Sequence, residues 1–362
     1  MSKSIIDHLK EVPDPRGAQG SRDDLWQILL IIIMGIMSGH KDYRPLERFV
    51  ERHRRTLIKL LALKHGTVPS YSTLRRMMID VDYAKLNSAF NNWAQEQPRP
   101  RGAAIAGDGK SLRNTVSNGD NDKQNFISMV SLFSQEQGVV VATAIMENKK
   151  ESEICVIQQL LSQLNLENHV FTMDALHCQK KTVEAIVESN NDYIIKVKKN
   201  QPKLQEAIRV QTDEETAIQV KVEDELSKGR KVQRLVEVFA PPQNIDSKWK
   251  GVGSVIRVTR SGERDGESYS TLSYYLSSLP PKSERIAKVI RGHWQVENRL
   301  HWVKDVIFDE DKSPQKAGNA PINLSIMKTW VLSVFRLHGF DSIKGAIDQF
   351  SGNLPTMWSL LI

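Results

Sequence analysis

Residues 103–113 read AAIAGDGKSLR and residues 170–178 read VFTMDALHC. Each opens with a short, mainly apolar run that leads to an aspartate, Asp108 in the first and Asp174 in the second. Such a run bounded by polar, turn-forming residues reads as a buried β-strand. A carboxylate placed where a buried strand leaves its sheet is held by a rigid frame, and two of them suit an oxygen-seeking divalent cation. Two magnesium ions about 4 Å apart at such a pair activate a water or hydroxyl and stabilise the leaving oxygen of a phosphodiester. An aspartate at a strand end also serves as a plain turn or helix cap, so the two segments alone leave both roles open.

The neighbouring segments give these strands a context. Runs at 103–106, 126–133 and 138–146 predict three neighbouring strands in a meander. A helix at 151–164, a strand at 169–173, a helix at 179–188, a strand at 193–197 and a helix at 203–210 follow. Three antiparallel strands and then alternating helix and strand is the order of an RNase H-like α/β core. Runs at 232–239, 252–259 and 271–279, separated by Pro/Gly/Ser-rich turns, predict a β-rich insertion over about 211–280. Pro280-Pro281 closes it and opens a helix from Ser283 to about Val306, and residues 319–337 are again helical.

Upstream the texture is helical, with apolar periodicity at 25–37, 46–63 and 86–93 and a hydroxyl-capped helix start at 69–74. The segment EQPRPRG, 96–102, interrupts it with two prolines and a glycine. The expected division is an all-helical domain over 1–97 and an α/β catalytic domain over 98–362. With 362 residues, 40% of them hydrophobic, the chain has material for two cores and is not disordered. Cys155 and Cys178 make no disulfide framework and lie at no zinc-ligand spacing, which predicts a reducing, cytoplasmic setting. The 13-residue apolar run at 25–37 falls short of the about 20 residues a membrane span needs, and no secretion signal opens the chain. No membrane partner is expected.

Charge is unevenly spread. Residues 1–101 hold 17 Lys/Arg against 11 Asp/Glu, and the remainder 33 against 32. Arg44, Arg48, Arg52 and Arg55 recur at helical spacing, with Leu46, Phe49, Val50 and Leu57 available for the opposite face. Such a stripe suits contact with DNA phosphates, and it equally suits a solvated helix face.

The third candidate segment is RGHWQVENRLHWVKDVIFDED, 291–311, where His293, Glu297, His301 and Lys304 share one helical face. Glu297 could complete a carboxylate cluster, and Lys304 could hold a DNA phosphate. A solvated face accounts for the same spacing, and a zinc site of His293, Glu297 and His301 is conceivable without an HExxH motif. Glu310 and Asp311 are the rivals of Glu297 as third carboxylate. Trp294 and Trp302 read as core packing in preference to base stacking.

Further short motifs run the length of the chain: VPDPRG (12–17), PSYSTLRRM (69–77), GDGKSLR (107–113), MDALHCQ (173–179), DYIIKVKKNQ (192–201), YYLSSL (274–279) and the block at 291–311. In this order and spacing they resemble the H-repeat-associated (ISAs-type) insertion-sequence transposases of the DDE superfamily, over nearly the full length. The resemblance implies an RNase H-like catalytic core with a β-rich insertion, preceded by an all-helical DNA-binding domain. Asp108, Asp174 and Glu297 would be the catalytic, metal-binding triad, holding two Mg2+ ions, with Mn2+ as the substitute. The activity implied is cleavage of DNA at element ends and joining of the 3′ ends to target DNA, with double-stranded DNA as partner and a homodimer on it. Lys110, Lys198, Asn200, Gln201, His293 and Lys304 would touch DNA beside the arginine stripe. Ile290 and His293 stand where the wider superfamily carries tyrosine and arginine, and SKGRKVQR (227–234) departs from the usual His-Gly-Arg-x-Glu-x-Arg. A catalytically decayed end-binding protein and a structure-selective nuclease on the same fold are the alternatives.

Overall fold

Nine strands form one mixed sheet in a computed structural model of the protein, which describes residues 3–17, 22–117, 125–227, 230–264 and 267–362. They are β1 (Ala104–Ser117), β2 (Asn125–Ser134), β3 (Val140–Glu147), β4 (Val170–Met173), β5 (Asp192–Val197), β6 (Gln219–Ser227), β7 (Arg230–Phe239), β8 (Ser254–Arg264) and β9 (Glu267–Ser277). Their order is β3-β2-β1-β4-β5-β9-β8-β7-β6. Helices fill the first hundred residues, as their apolar spacing requires.

The chain divides into two compact units: Met1–Arg99 with Gly109–Ser152 and Gln295–Ile362, and Pro100–Asp108 with Glu153–Trp294. The N-terminal helices share a unit with two later segments. The reason is the helix Leu25–Met37, which is buried along nearly its whole circumference. A helix apolar all round needs neighbours on every side, and the helix Ala320–Leu337 supplies one of them. Gln27, the polar residue within it, accepts from Asp24 N–H at 2.8 Å and donates to the Leu61 carbonyl at 2.8 Å. Gly35 permits a close crossing, since a Cβ there would stand 2.2 Å from Leu46 Cδ2.

In the second unit β1 and β4 run parallel, with Ala104↔Val170, Ile105↔Phe171, Ala106↔Thr172 and Gly107↔Met173. β5 continues parallel to β4, and β9 joins β5 antiparallel, with Ile195 opposite Leu276. Strands β9, β8, β7 and β6 thus extend the sheet beyond β5. β6 was not expected, and its hairpin partner β7 begins two residues earlier than the pattern suggested. Lys228 and Gly229 of the SKGRKVQR segment lie outside the described residues. One face of this sheet buries Ala104, Val170, Ile194, Val236, Val238, Ile256 and Val258 against Ile286, Val289 and Ile290 of the helix Arg285–Gly292. About 25 cal/mol per Å² of apolar area removed from water drives that packing.

Two further expectations change. β1 does not stop before Asp108 but runs on to Ser117, in pairing with β2 supported by the Thr115 hydroxyl, which accepts from Ile127 N–H at 2.9 Å. The helix expected over 283–306 is an α-helix only to Gly292. After a turn at His293 it continues as two wide π-helical stretches, Glu297–His301 and Val303–Ile307. Leu300, His301, Val303 and Lys304 are all buried there while Trp302 between them is half exposed. Among the described residues no helix is long and apolar enough to cross a membrane.

Candidate active site

Side chains alternate between the two faces of a strand, so the paired residues Ala106 and Thr172 point to one face, as do Asp108 and Asp174 two positions further on. That face is the one covered by the helix Arg285–Gly292. The parallel register ends at Gly107↔Met173, and the next residue on each strand is one of the two aspartates. Asp108 thus lies inside a strand and at the end of its parallel pairing, a correction to the expected strand end. Both carboxylates are partly exposed.

The helix delivers His293 to the same place. Its Nδ1 lies 3.0 Å from the buried Thr172 hydroxyl. Burial pulls the imidazole below its usual range, and the negative charges of Asp108 and Asp174 oppose that without overcoming it. Lys196, on β5, is likewise lowered by burial and by Lys198, with Asp174 opposing.

The turn that carries Asp174 is fastened from several sides. Asp174 Oδ1 accepts from Leu176 N–H at 2.9 Å, so the residue is a cap as well as a candidate ligand. The Asn200 amide donates to the Ala175 carbonyl at 2.6 Å and the Gln201 amide to the Cys178 carbonyl at 2.9 Å. His177, buried, meets Glu153 at 2.9 Å. Burial pushes the Cys178 thiol up to about 12, which makes it inert. Asn200 and Gln201, expected at DNA, have these amide donors committed to the turn, whereas Lys198 is exposed. Thr172, His177 and Glu153 were missed by sequence reasoning. Thr172 carries no signal beyond a polar residue inside an apolar strand, and Glu153 and His177 are 24 positions apart.

The remaining candidates belong to the other unit. Glu297 is exposed at the start of the first π stretch, and a carboxylate oxygen of it lies within 4.8 Å of a ring nitrogen of buried His301. Arg44, Arg48, Arg52 and Arg55 are all exposed, with Leu46, Phe49, Val50 and Leu57 buried beneath. They are not on one helix, because His53 breaks Tyr43–Arg52 from Arg54–Leu61.

Two lysines expected at DNA are engaged within the protein. Lys304 is 2% exposed, donates to Ser325 Oγ at 2.7 Å and pairs with buried Glu310 at 3.3 Å, so its ammonium presents no charge to a ligand outside. Burying an ammonium is tolerable only with such partners. Glu310 is accordingly a counter-charge in the interior. Lys110 bridges Asp305 at 2.8 Å and Asp311 at 3.2 Å. Trp294 and Trp302, expected in the core, are 64% and 51% exposed.

Comparison with known proteins places this arrangement. The family model described as "Transposase DDE domain" matches residues 99–332, and one described as "DDE_Tnp_1-associated" matches residues 6–94. YncI of Escherichia coli O157:H7 is 31% identical over 358 residues, covering 96% of this chain and 90% of its own. The H repeat-associated YhhI of Escherichia coli K12 is 31% identical over 333 residues, covering 88% and 86%. Both carry provisional transposase names. The piggyBac transposase in a synaptic complex with hairpin DNA, solved by cryo-EM, superposes with a TM-score of 0.47 at 10% identity, covering 100% of this chain and 77% of that one. A likeness of that size carries no argument by itself.

Proposed function

The chain belongs to the transposase DDE domain family, and on that premise we propose that it is a metal-dependent enzyme that cuts DNA at insertion-element ends and joins the new 3′ ends to target DNA. One observation carries the reading: Asp108 and Asp174 follow the same paired register position on adjacent parallel strands and share a sheet face with His293. The order β3-β2-β1-β4-β5, antiparallel between β2 and β3 and parallel from β1 through β4 to β5, supports an RNase H-like core.

The donor set fits divalent cations. Two hard carboxylates stand on a rigid sheet, and the basic groups beside them, His293 and Lys196, are shifted towards neutrality by burial. Hard carboxylate oxygens are the ligands such cations take. Asp108 and Asp174 would hold magnesium or manganese, with Glu297, four residues after His293, as third ligand. Metal bound there would make a water or a 3′ hydroxyl a competent nucleophile and stabilise the departing oxygen at phosphorus.

The protein's own groups have separable tasks in this reading. Thr172 orients His293 from Nδ1 and leaves Nε2 as the ring atom for any further contact. Asn200, Gln201 and the His177–Glu153 pair keep the Asp174 turn in place. Arg44, Arg48, Arg52, Arg55 and Lys198 meet phosphates, which positions DNA without reading its sequence. The exposed indoles of Trp294 and Trp302 offer faces on which unpaired bases can stack.

Excision of a marked element from a plasmid tests this, with wild type, Asp108→Asn and Asp174→Asn compared alongside end binding. Loss of excision in both variants with binding retained is the expected result. Equal excision by all three would remove the catalytic reading. Cutting without any joining to target DNA would instead mark a nuclease.

A further inference from the structure

The two ends of the strand order are finished differently. At one end, the backbone of β3 is sealed by side chains of the helix Tyr83–Glu96: Thr143 N–H donates to Asn91 Oδ1 at 2.8 Å, and the Asn87 and Asn91 amides both donate to the Thr143 carbonyl at 2.8 Å. At the other end stands β6, with β7 on one side and, among the described residues, no strand on the other. β6 is nine residues long and contains neither proline nor glycine. Val220, Val222 and Leu226 are 57%, 54% and 75% exposed along one of its faces. A long, straight edge of this kind is a template for another strand, and proteins that do not use one blunt it.

The sequence of β6 says which strand fits. Laid antiparallel against itself about Val222, it sets Lys221 of each copy opposite Glu223 of the other, Val222 opposite Val222, and Ile218 opposite Leu226. Opposite charges and aliphatic pairs directly across a ladder are the stabilising combinations. The same centring puts Val220 opposite Asp224, whose carboxylate is already met by the Gln233 amide at 3.0 Å. Within the same chain Lys221 pairs with Glu223 at 3.3 Å, and Arg234 and Arg291 lie near Glu223 and Glu225 at 3.3 to 3.9 Å; a facing copy would share these carboxylates, and the arginines temper the acidity of the edge. We propose that β6 pairs antiparallel with β6 of a second copy of this chain, about a two-fold axis at Val222, so that two sheets become continuous.

The test is a charge swap on the full chain, read by sedimentation across a concentration series. Lys221→Glu and Glu223→Lys should each weaken self-association about tenfold, because each sets like charges opposite one another twice. An equimolar mixture of the two variants should recover it, since every facing pair is then complementary. A mixture no better than either variant alone would overturn the proposal, provided both melt like wild type. Cross-linking keeps it open to failure should Glu223→Lys not fold. In a Cys155→Ser background, Val222→Cys should form a disulfide between copies under mild oxidation, since directly opposed residues bring Cα atoms within about 5.5 Å. Leu272→Cys, three strands away, should not. Cross-linking at neither position, or equally at both, would also overturn it.

Discussion

The Thr172 hydroxyl lies 3.0 Å from Nδ1 of His293, a contact between residues 121 positions apart. Thr172 is buried in β4 two residues before Asp174, and His293 caps the helix packed over the same face. One side chain of the sheet thereby fixes the imidazole next to both candidate carboxylates.

Thr172→Val preserves shape and removes the hydroxyl. It should lower excision about tenfold while costing only about 1 kcal/mol of stability, the ordinary worth of one buried hydrogen bond. Thr172→Ser should return most of the activity. Excision by the valine variant equal to wild type, measured beside a denaturant melt, would take the orienting role from Thr172.

Arg48 and Arg52 protrude from the helix Tyr43–Arg52 with no burial to lose. If both meet phosphate, changing them to Gln should leave the melting temperature in place. The slope of log affinity against log salt should become shallower by about 1.8, at roughly 0.9 per duplex phosphate. Titrations of an element-end duplex over a range of salt give that slope, and an unaltered value would assign these arginines to solvent alone.

Lys328 and Lys304 are both buried with Glu310 as an acidic neighbour, and burial pulls the Lys328 ammonium below its ordinary 10.5, with Glu310 opposing. Glu310→Gln strands two lysines and should cost about 3–5 kcal/mol, whereas Lys328→Met keeps the Lys304–Glu310 pair and should be neutral or stabilising. The pH dependence has a definite sign. Between the lowered native value and 10.5 the unfolded chain holds a proton on Lys328 that the native one lacks, so stability gains from this group as pH rises through that window. Burial lowers Lys304 in the same sense, so Lys328→Met should shrink that alkaline gain without abolishing it, as urea melts at neutral and alkaline pH would reveal.

What could be read in advance follows from how local each cause is. The helix Leu25–Met37 and strands β4 and β5 are dominated by apolar residues, with single polar interruptions such as Gln27, Thr172 and Lys196, and burial of such runs is dictated largely by their own residues. Asp108 and Asp174 were visible because each directly follows one. β6 escaped because QVKVEDELS keeps its alternation on a solvated edge, where acidic residues hide the strand signal. The burial of Lys304 was not legible, because the groups that make it tolerable, Glu310 and Ser325, come from a later turn and another helix. Trp294 and Trp302 misled for the opposite reason: large aromatic area predicts burial only when a neighbouring element arrives to cover it. His53, one polar residue within the polar run 51–56, gave no warning that it would divide the arginine stripe.

The two wide turns after Glu297 have an implication for how the chain tolerates length changes. An α-helix advances about 100° per residue, and a π turn is an α turn carrying one residue too many. Deleting Val303, which lies between His301 and Lys304, would remove one such surplus residue, and it would swing Glu297 by roughly that angle against Lys304. Spacing in this stretch therefore constrains the protein more tightly than residue identity does.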